Sequence, residues 1–577
     1  MQHLLGRRDA RGHGGGVRGA DLSRRSNQFQ GRFGRMFRTL PGADFPDNEL
    51  DKLSQGMTAA AERKVIDGVD KRVATPENEV DDEENFGIPA GYTYFGQFID
   101  HDLTFDPASS LQGQNDPDGL TDFRTPRFDL DSLYGRGPSD EPFMYEGDGK
   151  TFILGRELTR GGTPTVPPSH DLARAGNDRA IIGDKRNDEN VIVSQLQAVF
   201  LRLHNRIVRE HPALSFNEVQ REVRWHYQWV VLHDYLLRIV GTETFYKVLP
   251  HLAKVGGNIH DDKPRLNFYK AKNNAFIPVE FSVAAYRFGH SMVRPIYRLN
   301  TEIGVDAADP TGTTGRQLIF ASEGAAGLNG FRSFNPAWAI DWRLYFEIDA
   351  QLTPHNTTSQ GAKRVQPSYK IDTSLVNPLD FLPEFCKSKP GTQDLLLEND
   401  KPVAQTDPLT HKPEIPNLAH RNLLRGRSMG LPSGQTVARA MGLVPLTDAQ
   451  IMIGKANVGS TFGEAPQAAT NLPISHYGAS FKGNAPLWVY VLAEAQHVWS
   501  EAAKAALAKP GGTAAAANAV PVHLGPVGGR IVAETFVGLL LTDSYSFLAQ
   551  DPTWTPRPAW QKQGKFAMPQ LIKAALG

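Results

Sequence analysis

Apolar residues recur at helical spacing in several parts of the chain. The clearest example follows residue 188, where the positions that share one face of a helix are Ile192, Leu196, Val199, Phe200, Leu203 and Ile207. The same spacing predicts further helices over residues 223–236 (ending near Gly241), 279–293, 337–346, 415–424, 435–441, 487–508 and 530–547. Alternating apolar and polar runs, which predict half-buried strands, are few and short. The pattern therefore predicts a mainly α-helical fold with long loops and little β structure.

The pattern also suggests how the chain is divided. No repeat period and no low-complexity linker interrupts it from about residue 45 onward, so we interpret residues 41–577 as a single large domain. Residues 1–40 differ, because they are rich in Arg and Gly and lack the apolar stretch of a secretory signal peptide. They predict a disordered basic tail, with a docking or export segment as the alternative.

One predicted helix, over residues 88–107, has an unusual polar stripe. Positions three and four apart share a helix face, which brings Gln97, Asp100, His101 and Thr104 together. The opposite side carries Tyr94, Phe95, Phe98, Ile99 and Leu103. A polar stripe on a helix normally faces solvent. Because this one combines a titratable His with an amide and a carboxylate among aromatic residues, the alternative is a buried helix whose stripe lines a cavity.

Composition narrows the possible partners and cofactors. The net charge of −1 and pI near 7 show no bias toward nucleic acid or an anionic membrane surface. No apolar run approaches the roughly 18 residues that would predict a membrane span; the longest candidate, residues 536–541, predicts a core helix. Cys386 is the only cysteine, which excludes an intrachain disulfide and Cys-based zinc or iron–sulfur sites. A cofactor must therefore be held by His, carboxylate or carbonyl groups.

A second histidine, His290, lies in an apolar segment over residues 281–293. Small residues precede it, and Ala284, Ala285 and Gly289 would let a flat ligand approach the backbone closely. A lone His in such a segment is more often a packing residue. With His101 and His290 both in aromatic helices and no His-x-x-x-His pair, haem held by one His is more plausible than mononuclear zinc.

Five segments, in order along the chain, resemble the motifs of the animal-type haem peroxidases, the peroxidase–cyclooxygenase superfamily. They are the distal haem motif (95–106), the calcium loop (129–135), the catalytic-arginine helix (183–190 with 203–206), the proximal helix (285–290) and the segment that orients the proximal His (422–427 with 430–432). The resemblance implies the family's catalytic domain with haem b. It also implies reduction of hydrogen peroxide through compound I and oxidation of halide, thiocyanate or small aromatic donors.

The resemblance implies a role for each residue around the haem. Heterolysis of peroxide needs a base and a fixed cation, and these roles fall to His101 and Arg186, with Gln97 as a distal hydrogen-bond donor. A surface Arg in a polar loop is the alternative for Arg186. His290 would ligate the iron, and the amide oxygen of Asn422 would accept the proton on its other ring nitrogen.

Further positions concern the haem edge. Arg287 and Arg425 match arginines near the haem propionates, where charge-assisted pairing is favourable. Asp100 and Glu189 match the two carboxylates that are ester-linked to haem in mammalian members; simple hydrogen bonding in the cavity is the alternative. Asn190 stands where a Met would form a sulfonium link, so that third link should be missing.

The resemblance also implies a calcium ion. Its ligands would be Asp102, Thr125, Arg127 through its carbonyl, Asp129 and Asp131. Calcium takes six to eight oxygen ligands, and alternate residues of an extended loop can supply several. A solvated acidic loop is the alternative.

Two other functions remain open within the resemblance. In cyclooxygenases the radical-forming Tyr lies three residues before the proximal His, whereas this chain has Arg287 there and Tyr286 on a different helical bearing. The second alternative is a catalytically silent adhesion or matrix protein, against which the retention of His101, Arg186 and His290 argues.

The lack of disulfides and of a signal peptide resembles bacterial-type members. The location of the protein, in the cytoplasm or outside it, is left undecided. We expect the protein to be a monomer.

Overall fold

A computed structural model describes most of the chain. The described residues are 33–59, 62–66, 69–73, 83–105, 122, 124–254, 257, 259–271, 275–302, 316–320, 327–352, 365–390, 395–398, 401–407, 411–458 and 471–577. For residues 62–66 and 69–73, the backbone alone is described.

Helices form the body of the molecule. In chain order the α-helices are α1 (Asp47–Met57), α2 (Gly91–Leu103), α3 (Asp131–Tyr134), α4 (Val191–Glu210), α5 (Phe216–Val230), α6 (Leu236–Val248), α7 (Leu418–Ser428), α8 (Gly434–Ala440), α9 (Leu487–Leu507), α10 (Ala514–Asn518), α11 (Pro526–Thr542), α12 (Phe547–Gln550) and α13 (Met568–Leu576). Short 3₁₀ and π turns join several of them.

The strands are short, and each sheet in the described part of the chain has two of them. Six pairs are antiparallel: β2 (Glu62–Ile66) with β3 (Val69–Val73), β4 (Glu84–Pro89) with β10 (Pro367–Tyr369), β5 (Glu157–Arg160) with β6 (Thr163–His170), β8 (Ile296–Arg298) with β9 (Arg316–Leu318), β11 (Leu397–Glu398) with β12 (Lys401–Pro402), and β13 (Met452–Ile453) with β14 (Leu472–Pro473). The seventh pair, β1 (Phe33–Gly34) with β7 (Ile277–Pro278), is parallel. The predicted mainly helical fold with little β structure is confirmed.

Helix α2 lies in the core and packs against α4. All of its residues except Gln97 and Asp100 are buried. Its aromatic side is held by ring contacts, including a stacked pair of Phe98 and Phe200 with centroids 4.7 Å apart. Phe95 meets Tyr227 of α5 edge to face at 6.1 Å. Because the helix is enclosed, its polar stripe does not form a solvent-facing surface.

Helix α4 and helix α9 follow their apolar periodicity closely, but three predicted helices differ from the structure. The predicted helix ending near Gly241 runs on, because a π turn (Val231–Tyr235) connects α5 to α6, and α6 kinks at Gly241 with φ of 70° before continuing. The predicted helix over residues 279–293 is a π turn (Glu280–Ala284) followed by a 3₁₀ segment (Ala285–His290).

The helix predicted over residues 337–346 is wrong. Only Trp342–Leu344 forms a 3₁₀ turn, where the Asp341 side chain accepts from the backbone of Arg343. The preceding backbone pairs with β5, as the amide of Ala339 donates to the carbonyl of Thr159 at 2.9 Å. Tertiary hydrogen bonds therefore replace the helical ones that the apolar spacing predicts.

The described chain begins inside the predicted basic tail. Strand β1 pairs with β7, and Phe33 and Phe37 are buried in the core. Buried Glu280 accepts hydrogen bonds from the backbone of Met36 and of Phe37 at 2.9 and 3.0 Å. The rest of the tail, residues 1–32, lies outside the described residues, and the division of the chain at residue 41 stays a prediction.

Across the described ranges, helices that combine enough length and apolar character to cross a bilayer are absent.

Candidate active site

Two elements from distant parts of the chain face each other in the interior. Helix α2 carries His101, and the 3₁₀ segment Ala285–His290 carries His290. They are joined directly, because the Tyr286 hydroxyl donates to the Gly96 carbonyl at 3.2 Å. The two candidate histidines therefore belong to neighbouring walls of one interior region.

This region is not closely packed around its polar side chains. Gln97, Asp100, Glu189 and His290 are only half-buried although the elements that carry them lie in the core. A Cβ built on Gly289 would meet no atom within 4 Å, so open space borders His290. Burial nevertheless raises the pKa of Asp100 above its ordinary value and raises the pKa of Glu189 to about 8. These carboxyl groups are accessible but poorly hydrated, as expected at the wall of a cavity.

His101 is held from the α4 side. Its Nδ1 lies 2.7 Å from Oδ1 of Asn187, whose Nδ2 donates to Oε1 of Gln197 at 2.9 Å. Its Nε2 lies 3.9 Å from Oε1 of Glu189. Burial, followed by the charge of Arg186, lowers the pKa of His101 to about 3, so the imidazole is neutral at physiological pH. Asn187 and Gln197 were not among the predicted site residues.

Arg186 lies at the end of α2. Its Nη2 donates to the carbonyls of His101 and Thr104 at 3.1 and 2.6 Å, and its guanidinium stands 4.7 Å above the Phe105 ring. Asp184 binds the same guanidinium, with Nη2 2.8 Å from Oδ2. The guanidinium of Arg186 is thus fixed beside His101 by backbone carbonyls of α2 and its end and by the carboxylate of Asp184. Asp184 was not among the predicted site residues.

The predicted residues of the distal side are connected. Gln97 donates through Nε2 to Glu189, and Asn190 donates to Oε1 of Gln97 at 3.2 Å. The Asp100 carboxylate accepts from the Thr104 hydroxyl at 3.1 Å. Gln97, Glu189 and Asn190 are therefore joined by hydrogen bonds, and Asp100 lies about one turn after Gln97 on α2.

The predicted pair of His290 and Asn422 is present, but its polarity differs from the expectation. Nδ2 of Asn422, not its oxygen, lies 2.7 Å from Nδ1 of His290. The amide oxygen instead accepts from Nη1 of Arg287 at 2.6 Å, since a guanidinium can only donate. Burial, followed by the charge of Arg287, lowers the pKa of His290 to about 3. Arg425 lies half-buried one turn after Asn422 on α7.

The predicted calcium ligands include three carboxylates that converge. Oxygens of Asp102, Asp129 and Asp131 lie within 4.8 Å of one another. The Thr125 hydroxyl donates to Asp129 at 2.7 Å, and Tyr227 donates to Oδ2 of Asp102 at 3.1 Å. Oδ1 of Asp102 is buried and has no hydrogen-bond partner within the described ranges. Burial, then Asp129 and Asp131, raise the pKa of Asp102 well above its ordinary value, which shows how poorly its charge is compensated by protein groups alone.

Arg124 connects this cluster to the distal side. Its Nη1 lies 3.3 Å from Asp131, and its Nη2 lies 2.6 Å from Asp184, the carboxylate that also binds the guanidinium beside α2. The side chain of Arg127 is directed elsewhere, with Nε 3.8 Å from Asp543. The role of its carbonyl as a calcium ligand stays a prediction.

Comparisons with known proteins agree with this geometry. Residues 117–323 match the family model "Animal haem peroxidase", a range that includes Arg186, Glu189 and His290. Human thyroid peroxidase is 27% identical over 221 residues, which are 34% of this chain and 22% of that protein. A peroxidase-like protein of Margaritifera margaritifera is 26% identical over 264 residues, 36% of this chain and 32% of that protein. These matches span a third or less of the relatives' own lengths.

Solved structures resemble nearly the whole chain. Peroxidase A from Dictyostelium discoideum aligns with a TM-score of 0.51 and 15% identity over 95% of this chain and 93% of that one. Oryza sativa fatty acid alpha-dioxygenase aligns with a TM-score of 0.51 and 16% identity over 95% of this chain and 79% of that one. At these identities the likeness shows a shared fold.

Proposed function

We propose that this chain, a member of the animal-type haem peroxidase superfamily, binds haem b between His101 and His290 and uses hydrogen peroxide to oxidise small donors. The observation that carries the proposal is that the elements bearing His101 and His290 are in direct contact, with open space at Gly289 beside His290 and a fixed guanidinium at the end of α2. Both imidazoles are neutral, because burial lowers their pKa values to about 3. A poorly hydrated site with these groups suits a reaction that separates charge and moves one proton.

The residues around His290 fit a flat, anionic cofactor. The open space at Gly289 lets a planar group approach the backbone, and Arg287 and Arg425 offer cations for carboxylate side groups. Haem bound through His290 would supply the iron at which the O–O bond of peroxide is cleaved.

The proximal pair must change its hydrogen bond when His290 acts as a ligand. A ligating Nε2 carries no proton, so the ring proton must lie on Nδ1 and needs an acceptor. A half-turn of the Asn422 amide presents its oxygen to Nδ1. Arg287 would then exchange the amide oxygen for another acceptor, and a carboxylate of the cofactor would meet that need.

On the distal side the chain supplies a base and a cation. His101 is neutral, so its Nε2 can take a proton from peroxide and return it to the departing oxygen. Arg186 supplies a fixed cation that compensates negative charge without exchanging a proton. Gln97 contributes a second amide hydrogen beyond the one donated to Glu189, and this hydrogen can orient peroxide or an anion.

The two carboxyl groups at the cavity wall are the candidates for ester links to the cofactor. Glu189, with a pKa of about 8, carries its proton at neutral pH, and Asp100 is held by Thr104. Recovery of unmodified haem in acidified organic solvent after peroxide treatment would exclude the ester links and leave hydrogen bonding as their role.

We further propose that calcium occupies the cluster of Asp102, Asp129 and Asp131, with Thr125 and the Arg127 carbonyl as additional ligands. Three converging carboxylates and a buried oxygen without a partner among the described residues are the supporting observations. Chelation should release one calcium ion and lower the thermal stability. A metal-free protein with unchanged stability would contradict the assignment.

The residues that precede His290 fit a peroxidase better than a fatty-acid dioxygenase. Arg287, not Tyr, stands three residues before His290. Tyr286 is buried, and its hydroxyl contacts the Gly96 carbonyl and the Tyr235 hydroxyl at 3.2 and 3.1 Å. This hydroxyl points to α2 and is committed to the protein. Small anions or phenols are therefore the proposed donors, and the physiological donor among them is to be identified by assay.

The test is reconstitution with haem followed by spectroscopy and a donor panel. We expect a Soret band and peroxide-dependent oxidation of iodide, bromide, thiocyanate or a phenol, with little oxygen uptake on linoleate. His101→Ala should keep the Soret band and slow the reaction with peroxide by about 10²- to 10⁴-fold, whereas His290→Ala should lose haem. His476→Ala, at an exposed His, is the control. Absence of a Soret band would favour a silent matrix-type protein, and linoleate oxygenation would favour a dioxygenase.

A further inference from the structure

The distal histidine is the first member of a buried polar chain that runs to α4. His101 is 4% exposed, and Asn187 and Gln197 are fully buried. The two contacts of the chain, 2.7 Å and 2.9 Å, are ordinary hydrogen-bond distances. Neither Asn187 nor Gln197 has a role in the peroxide chemistry derived above.

This chain of contacts indicates which ring nitrogen carries the proton. Nδ2 of Asn187 donates to Oε1 of Gln197, and Oδ1 of Asn187 faces the imidazole. An amide oxygen can only accept. With this orientation of the amide, an imidazole with a single ring proton carries it on Nδ1, which leaves the lone pair on Nε2.

The turn that carries Asn187 is held on both sides. Before it, Asp184 caps the turn by accepting from the backbone of Arg186 at 2.8 Å. After it, the carboxylate of Asp188 receives two hydrogen bonds of 2.8 Å from Arg174 and one of 2.9 Å from Ser194. The backbone turn that carries Asn187 is thus held by contacts that do not involve His101.

We propose that Asn187, oriented by Gln197, is a positioning residue that keeps the proton of His101 on Nδ1 and so makes Nε2 the base that receives the proton of peroxide. The inference rests on the proposed function for its catalytic consequence. Nε2 takes one proton from hydrogen peroxide and returns it to the departing oxygen. Asn187 exchanges no proton and stabilises the transient imidazolium through the Nδ1–H contact.

Two substitutions separate this role from simple packing. Asn187→Leu removes the acceptor, so both ring tautomers become populated and the imidazolium loses a partner. Asn187→Asp keeps an acceptor but adds a negative charge beside the ring, which favours the imidazolium. Asn85→Leu is the matched control, because Asn85 is an equally buried Asn whose amide holds the backbone at Val522.

The first readout is the rate of cyanide binding to the haem-reconstituted protein as a function of pH, since hydrogen cyanide must also give up a proton to a distal base. We expect Asn187→Leu to slow binding by about 10- to 100-fold. Asn187→Asp should retain the rate at high pH and move the acid limb of the profile upward by about 1 to 3 pH units. Asn85→Leu should lower stability and leave both features unchanged.

The second readout uses the haem-free protein and needs no activity. With ¹⁵N-labelled histidine, the His101 resonances, assigned by their loss in His101→Ala, should show a protonated Nδ1 and an unprotonated Nε2 in the wild type. In Asn187→Leu they should move toward the average of the two tautomers. A proton on Nε2 in the wild type, or unchanged resonances and unchanged cyanide kinetics in Asn187→Leu, would overturn the inference. Correct resonances in a protein that does not react with peroxide would instead refute the proposed function.

Discussion

Replacing Glu189 by Gln should stabilise the haem-free protein at alkaline pH but not at acid pH. The Glu189 carboxyl is half-buried beside His101, where burial, followed by the charge of Glu384, raises its pKa from 4.5 to about 8. Below pH 4.5 the folded and unfolded chains both carry the proton. Between pH 4.5 and 8 the unfolded chain loses it while the folded chain keeps it, so rising pH favours unfolding. Above pH 8 both states have lost the proton, and the decrease in stability is complete.

The size of this effect follows from the pKa difference. At about 1.36 kcal/mol for each pH unit, the difference between 4.5 and about 8 gives an upper limit of about 5 kcal/mol. The side chain is 30% exposed, and partial hydration reduces such effects, so we expect about 2 to 3 kcal/mol. Gln has no proton to lose, and its side-chain oxygen can still accept the hydrogen bond from Gln97.

The measurement is urea unfolding of wild type and Glu189→Gln at pH 4, 6 and 8.5. The stability difference between the two proteins should be near zero at pH 4 and grow steadily to its full value at pH 8.5. Glu243→Gln, at a surface Glu whose side chain is 83% exposed, should show no such growth. A difference that is constant with pH, or that shrinks as pH rises, would refute the view that Glu189 is protonated in the folded state.

Three further outcomes follow from the polar contacts. Asp184→Asn leaves two guanidinium groups facing each other and should cost about 3 to 5 kcal/mol in urea unfolding, whereas exposed Asp178→Asn should stay within about 0.5 kcal/mol. Arg35→Ala, which removes donors to the carbonyls at the end of α7, should cost about 1.5 to 3 kcal/mol, and an unchanged unfolding midpoint would contradict that contact. Asp102→Asn should lower the calcium-induced rise in melting temperature. A rise equal to that of the wild type would show that calcium binds at another site.

The regular part of the fold follows from periodicity, and the irregular part does not. Helix α4 has an apolar stripe long enough to identify it, and its buried face matches that stripe. The segment Ala285–His290 has a similar composition, yet it forms a 3₁₀ helix after a π turn. Apolar spacing cannot distinguish these geometries, because they differ by less than one residue per turn and are selected by the contacts of the segment with its neighbours.

The candidate site likewise has residues that the sequence predicts and residues that it does not. Motif positions identify the residues that would touch peroxide or haem, and the structure brings His101, Arg186 and Glu189 into one region. The partners that orient them could not be assigned, because Asn187 and Asp184 are two polar residues among several in a charged loop. Their roles depend on which atoms of α2 lie within 3 Å, and that is decided by packing over about 85 residues of intervening chain.

The connection between the proposed calcium ligands and Arg186 shows why such partners matter. Arg124 binds Asp131 of the acidic cluster and also Asp184, which in turn binds Arg186. Burial alone would raise the pKa of Asp184, but the two guanidinium groups outweigh it and hold this pKa well below its ordinary value. A cation bound by the cluster would compete with Arg124 for Asp131, and any movement of Arg124 is transmitted to the carboxylate that positions Arg186. Because every member of this series is largely buried, water cannot replace a lost partner, and the acidic loop and Arg186 must respond together.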